Sequence, residues 1–171
     1  MKGYIQVYTG NGKGKTTAAI GLALRFVGTG KKVFIAQFMK GQTYSELHAL
    51  KAFHEQITIK QFGLHTFIKG TPKQQDIDLA KQGLQEVSDI LHAGNFELVI
   101  LDEANISIFF NLFTVQELLT SIQQRAPHVE VVITGRNAPQ ELIDIADLVT
   151  EMKEIKHYYN NGVMARRGIE N

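Results

Sequence analysis

The chain of 171 residues carries 18 basic and 17 acidic side chains, for a formal net charge of +1, and 44% of its residues are hydrophobic. This composition is ordinary for a globular protein, and its charge gives no general attraction to nucleic acid or to an anionic membrane, so we expect neither as a partner. The sequence has no cysteine, which excludes disulfides, thiolate metal sites, iron–sulfur clusters and a cysteine nucleophile. Since no signal peptide or run of transmembrane length is found, we expect one cytoplasmic domain over residues 1–171.

Short β-branched runs alternate with longer amphipathic stretches along the chain. This alternation predicts a three-layer α/β fold, with a mainly parallel sheet of about six strands covered by helices on both faces. Several runs are apolar on consecutive residues, such as "LVIL" at 98–101, which is typical of strands buried on both sides. The predicted strands span residues 3–8, 32–38, 57–62, 96–102, 129–134 and 147–152.

Four helices are predicted between the strands. Residues 15–30 and 73–94 have apolar residues at helical spacing, and both stretches end at glycine. The sequence "TVQE" at 114–117 is a capping box, and Pro139 suits the first turn of a further helix. Segment 62–75 is the best candidate for a functional loop. We expect Phe109 and Phe110 in the core, and the basic, aromatic tail over the sheet or at a subunit contact.

A glycine- and lysine-rich stretch, "TGNGKGKTT" at 9–17, lies between the first strand and the first helix. Glycines let successive backbone N–H groups point at phosphate oxygens, and the helix N-terminus adds its positive dipole end. In such a loop Lys15 reaches a phosphate and Thr16 a magnesium ion. The strand and helix on either side argue against a plain glycine-rich turn. The first glycine of an ordinary Walker A loop, five positions ahead of Gly14, is here Thr9.

Two further motifs end predicted strands. Asp102 and Glu103 follow the buried run "LVIL" and resemble a Walker B pattern, in which a carboxylate holds magnesium directly or through water. Arg136 follows the run "VVITG", and its guanidinium suits phosphate binding. Because the carboxyl ends of parallel strands meet at one edge of a sheet, we expect these residues near the phosphate loop. Taken alone, Arg136 is more often a surface arginine, and Arg25 a solvated helical charge.

Taken together, these residues resemble a known family, the P-loop type of ATP:corrinoid adenosyltransferase. The resemblance runs nearly end to end. Many nucleoside triphosphatases share a phosphate loop and an "LDE" motif, but the order of the stretches in this chain is far more specific. They read "TGNGKGKTTAAIGLALR", "VFIAQFMKG", "VILDEAN", "VVITGRNAPQELIDIADLVTEMKEIKH" and "GVMARRGIE".

The resemblance implies that ATP gives its 5'-deoxyadenosyl group to the Co(I) ion of a corrinoid and that triphosphate leaves, in adenosylcobalamin biosynthesis or salvage. It also implies a RecA-like fold and a homodimer. Lys15 and Glu103 would be catalytic, and Mg²⁺ or Mn²⁺ would be held by Thr16, Asp102 and Glu103. The residues expected to bind ATP by this resemblance are Gly10, Asn11, Gly12, Lys13, Gly14, Lys15, Thr16, Thr17, Arg25 and Arg136.

The same resemblance implies how the corrinoid is bound and where the electrons that reduce its cobalt come from. Members of the family use hydrophobic side chains below the corrin, and their electrons come from a reduced flavin or flavoprotein. The corresponding loop here predicts corrinoid contacts at Gly63, Leu64, His65 and Phe67. Phe67 would supply the apolar face, whereas His65 is either a cobalt ligand or an exposed loop residue. Longer members carry a segment ahead of the first strand that can cover the site, and this chain starts almost at the strand.

Two other functions are compatible with the motifs. One is an ordinary P-loop ATPase or kinase, in which Glu103 orients the group that attacks the γ-phosphate. The other is a regulatory protein or corrinoid carrier without turnover. The displaced first glycine suggests a further hypothesis. An adenosyl donor must expose its ribose 5' carbon, and a loop whose first glycine is Gly10 would bind the polyphosphate in an altered register, with ATP in the reverse sense.

Overall fold

The computed structural model describes residues 2–42, 44–65, 68 and 70–170. Within these ranges six strands form one sheet, in the order β3-β2-β4-β5-β1-β6, and every neighbouring pair is parallel. The predicted fold class is therefore confirmed, and each predicted strand is found. Their observed bounds are β1 Ile5–Thr9, β2 Val33–Phe38, β3 Ile57–Phe62, β4 Leu98–Asp102, β5 Glu130–Thr134 and β6 Leu148–Glu151.

The four predicted helices are present, and the described part of the chain has two more. The additional helices, α2 and α4, have 6 residues each, so neither is long enough to show a clear apolar period in the sequence. Short 3₁₀ turns occupy Lys51–Phe53 and Tyr158–Asn161. The helices are α1 Lys15–Val27, α2 Ser45–Leu50, α3 Gln74–Ala93, α4 Ala104–Phe109, α5 Val115–Gln123 and α6 Gln140–Ile145.

The hydrophobic core lies on both faces of the sheet. Strand β2 is buried along its whole length, with Phe34 and Phe38 on one face and Ile35 on the other. Helices α3 and α5 cover the first face, while α1 packs Ala19 and Ala23 against the second. Fully burying a large apolar side chain contributes roughly 1.5–3 kcal/mol, so the two layers together hold the strand ends in register.

The periphery differs from the sequence expectations at one position. Phe109, expected in the core, is 58% exposed at the end of α4, whereas Phe110 is partly buried against the core. The expectation for Phe109 is therefore wrong, because adjacent residues of a helix do not share a face, and Phe110 takes the side toward the core. Strand β6 lies at the sheet edge, and its four residues are exposed.

Along the described ranges, no helix combines the length and apolarity needed to cross a bilayer. Our expectation of a single domain stays a prediction.

The start of α5 tests the capping box directly. The hydroxyl of Thr114 accepts a hydrogen bond from the Glu117 N–H at 3.2 Å, and a Glu117 carboxylate oxygen accepts from the Thr114 N–H at 2.7 Å. We expect Thr114→Ala to lower the free energy of unfolding by about 1 kcal/mol, because the Glu117 N–H loses its hydrogen-bond partner. Thr120→Ala, on the same helix, is the control, since its hydroxyl only bonds the Gln116 carbonyl one turn earlier. Equal losses of stability in urea denaturation would contradict the capping role.

Candidate functional site

The phosphate loop joins β1 to α1 and is held against the end of β6. The Gly12 N–H donates to the Met152 carbonyl at 2.6 Å. Gly10 has a φ of 94°, and a Cβ at this position would lie 2.5 Å from the Met152 carbonyl oxygen. Thr9 is the last residue of β1, and its hydroxyl accepts from the Ala138 N–H at 3.3 Å. The contact with Met152 is thus a physical reason for a glycine at position 10.

Lys15 folds back into this loop. Its ammonium group donates to the carbonyl oxygens of Gly10 at 2.7 Å and Gly12 at 2.8 Å, and the residue is only 8% exposed. Burial lowers the pKa of Lys15, while the negative charge of Glu103 acts in the opposite direction. The first-turn N–H groups of α1 have no partners within the helix and start at the same loop. The arrangement places a cation and free donors where a polyphosphate would enter.

Asp102 is the centre of a buried hydrogen-bond network at the end of β4. It is 1% exposed. One carboxylate oxygen, Oδ1, accepts from the hydroxyls of Thr16 and Thr134, both at 2.7 Å. The other, Oδ2, accepts from the Lys40 ammonium at 2.8 Å and from the Gln37 amide at 3.4 Å. Asp102 therefore connects the first turn of α1 with the ends of β2 and β5.

Glu103 lies beside this network in a left-handed conformation, with a φ of 63°. Its N–H donates to the Thr134 hydroxyl at 3.1 Å. Burial raises the pKa of Glu103, and the neighbouring Asp102 adds to the effect, whereas Lys40, Lys15 and Arg136 act against it. The pKa of Lys40 is raised: burial opposes its charge, but attraction to Asp102 and Glu46 outweighs burial. Carboxylates and cations of the site thus shift one another, as is common at functional sites.

Two adjacent cavities are lined by these residues. The smaller one, of about 280 Å³, is lined by the phosphate loop from Asn11 to Thr17 together with Glu103 and Arg136. The adjacent cleft, of about 840 Å³, shares Lys13, Thr16, Thr17 and Glu103 with it. This larger volume is typical of small-molecule sites. The structure therefore brings the predicted phosphate-loop residues, the two carboxylates and Arg136 together.

The C-terminal segment lies across both cavities. Ile169 and Glu170 line the phosphate-loop cavity and the cleft. The Glu170 carboxylate accepts hydrogen bonds from the Tyr158 hydroxyl and from the Arg166 N–H, the latter at 2.8 Å. The Arg166 guanidinium also stacks over the Tyr158 ring at 4.8 Å. The tail, expected over the sheet or at a subunit contact, is thus folded on itself at the mouth of the site.

Other predicted residues lie at the margin of the site or away from it. Arg25 is exposed in the last turn of α1, about 15 Å along the helix from Lys15. Gly63, Leu64 and His65 follow β3, and the His65 carbonyl accepts from the side chain of Gln42, which lines the cleft. Phe67 lies outside the described residues. The assignments of Arg25 to ATP, and of Gly63, Leu64, His65 and Phe67 to the corrinoid, stay predictions.

The sequence interpretation missed three polar residues around Asp102, namely Gln37, Lys40 and Thr134. Gln37 lies near the end of β2, Lys40 lies just beyond it in "QFMKG", and Thr134 is the last residue of β5. A signal was present, because polar side chains at the carboxyl ends of parallel strands are candidates for the site. Which of them reach Asp102 depends on strand order, which the sequence does not display.

Over residues 1–171 the chain matches the family described as "ATP:corrinoid adenosyltransferase BtuR/CobO/CobP". The chain belongs to this family. It is 34% identical to the corrinoid adenosyltransferase of Sinorhizobium sp., over 99% of the chain and 80% of that protein. The corrinoid adenosyltransferase of Pseudomonas aeruginosa is 34% identical, over 99% and 84% of the two chains, and that of Escherichia coli K12 is 32% identical, over 99% and 86%.

Family membership settles the class of reaction. ATP is the adenosyl donor, a corrinoid is the acceptor, and the reaction belongs to adenosylcobalamin synthesis. The alternative of an ordinary P-loop ATPase or kinase is not favoured, since the matched relatives are adenosyltransferases over nearly the whole of this chain.

The contact between the loop and β6 generates a prediction. We expect Gly10→Ala to weaken ATP binding about 10-fold or more, because its Cβ must displace the loop from the Met152 carbonyl. Gly30→Ala is the matched control, since Gly30 also has a positive φ, of 78°, but has open space around its Cβ position. Isothermal titration with ATP measures both variants. Comparable affinities for the two would show that the Met152 contact does not shape the nucleotide site.

Proposed function

We propose that this chain transfers the 5'-deoxyadenosyl group of ATP to the Co(I) ion of a corrinoid while its phosphate loop holds the leaving triphosphate. One observation carries the proposal: the phosphate-loop cavity and the 840 Å³ cleft share a wall that includes Thr16, Thr17 and Glu103. A triphosphate in the first cavity leaves its nucleoside end directed toward the second. The two substrates would then meet at this shared wall.

The proposed reaction needs no general base to activate its nucleophile. Co(I) is a strong nucleophile, so the cobalt–carbon bond forms as the ribose C5'–O bond breaks, and the electron pair stays on the triphosphate oxygen. No proton has to be removed from the nucleophile. The barrier is lowered by alignment and by neutralising the leaving group. Lys15, Arg136 and the loop N–H groups would supply this neutralisation, and the contacts of Lys15 with the loop carbonyls support its part in it.

A divalent cation, Mg²⁺ or Mn²⁺, would complete the neutralisation. Thr16 and Glu103 fit it, because both line the phosphate-loop cavity and both offer oxygen atoms. In the described ranges no three His, Cys, Asp or Glu side chains cluster to form a protein-only metal site. That arrangement suits magnesium, which is commonly held by one or two protein oxygens together with substrate phosphates. When bound, the ion supplies positive charge to the triphosphate, and Glu103 is catalytic in this sense.

The corrinoid is proposed to enter the 840 Å³ cleft. Gln42 lines this cleft and bonds the loop that contains Gly63, Leu64 and His65, so a corrin in the cleft lies beside that loop. We propose that the loop, including Phe67, favours four-coordinate cobalt, and that the electrons come from a reduced flavin or flavoprotein in the cytoplasm. His65 is exposed and acts as a loop residue in this account.

The reverse sense of ATP binding remains our hypothesis for the displaced glycine. Gly10 is already required by the Met152 contact. The same contact takes the Gly12 N–H away from any phosphate, because this group donates to the Met152 carbonyl. The phosphates therefore depend on the donors from Lys13 onward, at the end of the loop nearest α1. A nucleotide gripped there extends its ribose toward the cleft.

We further propose a homodimer in which Arg25 acts on the neighbouring site. Arg25 and Thr17 are both exposed on α1, eight residues or about 12 Å apart. A second copy packed antiparallel along this helix brings its Arg25 beside the Thr17 of the first. A guanidinium at that point complements the charge of the triphosphate. The geometry reconciles a phosphate role for Arg25 with its distance from the loop of its own chain.

Product analysis tests the function. Wild-type protein with ATP, Mg²⁺ and reduced corrinoid is expected to give adenosylcorrinoid and triphosphate in equal amounts. We expect Lys15→Ala to lower the rate about 100-fold or more, because the leaving group loses its main cation, while circular dichroism shows an intact fold. Lys81→Ala is the control, since Lys81 is exposed on α3 and pairs with Glu117 at 3.6 Å. ADP and phosphate as the main products would refute adenosyl transfer.

Subunit mixing tests the role of Arg25. We expect Arg25→Ala and Lys15→Ala to be weakly active alone, and their mixture to recover about a quarter of the wild-type rate. In a mixed dimer one site then has an intact Lys15 and receives an intact Arg25 from the other chain. If Arg25 acted within its own chain, every site of the mixed dimer would lack one cation and mixing would restore nothing. Full activity of Arg25→Ala alone would remove this arginine from the mechanism.

A further inference from the structure

We propose that Lys40 is a positioning residue for adenosyl transfer, which holds Asp102 so that this carboxylate orients Thr16 and leaves the metal to Glu103. The inference rests on the proposed magnesium and triphosphate site and deepens it. It changes the role expected for Asp102 from metal ligand to support of a ligand.

The backbone of Lys40 is fixed by the two loops that follow β2 and β3. Met39 has a φ of 57°, and its N–H donates to the Phe62 carbonyl at 3.1 Å, which extends the strand pairing by one step. The two loops then touch at Gly63, where an added Cβ would lie 2.5 Å from the backbone nitrogen of Lys40. The backbone of Lys40 is thus held in a defined position by the neighbouring loop.

The ammonium group of Lys40 is directed back to the end of β4. It lies 2.8 Å from Asp102 Oδ2 and 3.8 Å from a Glu46 oxygen, and 5.0 Å from the centre of the Tyr44 ring. The side chains of Lys40 and Asp102 are 13% and 2% exposed. Because water is largely excluded, the pair is weakly screened and its geometry is strongly preferred.

This contact divides the two oxygens of Asp102 between different partners. A carboxylate has about four lone-pair sites, and here Oδ2 serves Lys40 and Gln37, while Oδ1 serves the Thr16 and Thr134 hydroxyls. No lone pair of Asp102 is left for a metal unless one of these donors is displaced. Glu103 is then the carboxylate that faces the cation.

The same division orients Thr16. A hydroxyl has one donor hydrogen and two acceptor lone pairs, and the hydrogen of Thr16 is committed to Asp102 at 2.7 Å. Its lone pairs are therefore turned away from Asp102 and toward the phosphate-loop cavity that Thr16 lines. Without Lys40, Asp102 is free to turn, and the hydroxyl loses its fixed direction. Lys40 acts on the reaction through two intervening groups and needs no contact with either substrate.

The first test is a metal titration, with Mn²⁺ alone as the probe and the electron paramagnetic resonance signal of the free ion as the readout. We expect Lys40→Met to bind Mn²⁺ about 10-fold more tightly, because Asp102 becomes an unneutralised ligand. Lys40→Arg keeps a donor to the carboxylate and should behave like the wild type. Lys60→Met is the matched control, since Lys60 is an exposed lysine of β3 paired with Glu86. Unchanged or weaker Mn²⁺ binding by Lys40→Met would overturn the inference.

The second test is kinetic. We expect Lys40→Met to lower kcat about 10- to 100-fold, the range for residues that support metal ligands, with KM for the corrinoid within about 2-fold of wild type. Lys40→Arg should restore most of kcat. Since Lys40 also lines the cleft, a raised KM for the corrinoid with unchanged kcat would mean that Lys40 binds substrate instead, and the inference would be wrong.

A double-mutant cycle with Asp102→Asn separates positioning from a general effect on the fold. If Lys40 acts through Asp102, adding Lys40→Met to Asp102→Asn lowers kcat no further, whereas an additive loss would overturn the inference. The double variant removes both members of the buried Lys40–Asp102 pair together, so it remains informative if Lys40→Met alone is unstable. Thr16→Ala tests the proposed metal site separately from the role of Lys40. If Thr16→Ala leaves the Mn²⁺ affinity unchanged, the proposed metal site is refuted, and this inference with it.

Discussion

The hydrogen bonds to one buried carboxylate, that of Asp102, connect the parts of the molecule that must act together. Thr16 comes from α1, Lys40 from the loop after β2, and Thr134 from the end of β5. Asp102 itself ends β4, which lies between β2 and β5 in the sheet. Because a buried carboxylate is costly without partners, each of these elements is constrained to the position from which its donor reaches Asp102. The phosphate loop takes its position relative to the sheet from this network and from the contact with Met152.

The electrostatics of the site are local. A chain with a formal net charge of +1 has no strong overall field, yet Lys15, Lys40 and Arg136 surround two adjacent carboxylates at the end of β4. Lys40 neutralises Asp102 directly, whereas Lys15 is held by the loop carbonyls and stays available to a polyphosphate. The site thus combines one ion pair within the protein, Lys40 with Asp102, with two cations, Lys15 and Arg136, that have no carboxylate partner as close among the described residues and are proposed to bind the substrate. Burial lowers the pKa of Lys15 and raises the pKa of Glu103, because loss of solvent disfavours the charged form of each group.

A corrinoid adenosyltransferase differs from other P-loop enzymes in what the nucleotide must expose. The attack occurs at a carbon of the ribose, so the phosphates are bound in order to leave and no base is needed to activate the nucleophile. Consistent with this chemistry, the described site has a glycine-rich loop with Lys15 and Arg136 beside a large cleft. The C-terminal segment, through Ile169 and Glu170, forms part of both cavities and so contributes to their enclosure.

Local pattern in the sequence determined the strands, four helices, the capping box at Thr114 and the phosphate loop, because each depends on residues close together in the chain. Motif order was specific enough to indicate the family. Tertiary structure decided the rest. The partners of Asp102 come from residues 16, 37, 40 and 134, and only the strand order brings them together. Gly10 meets Met152 where the neighbouring strands β1 and β6 end, and Phe109 is exposed because adjacent residues of a helix do not share a face and Phe110 takes the side toward the core. Such contacts depend on how distant segments pack, and no spacing within one segment encodes them.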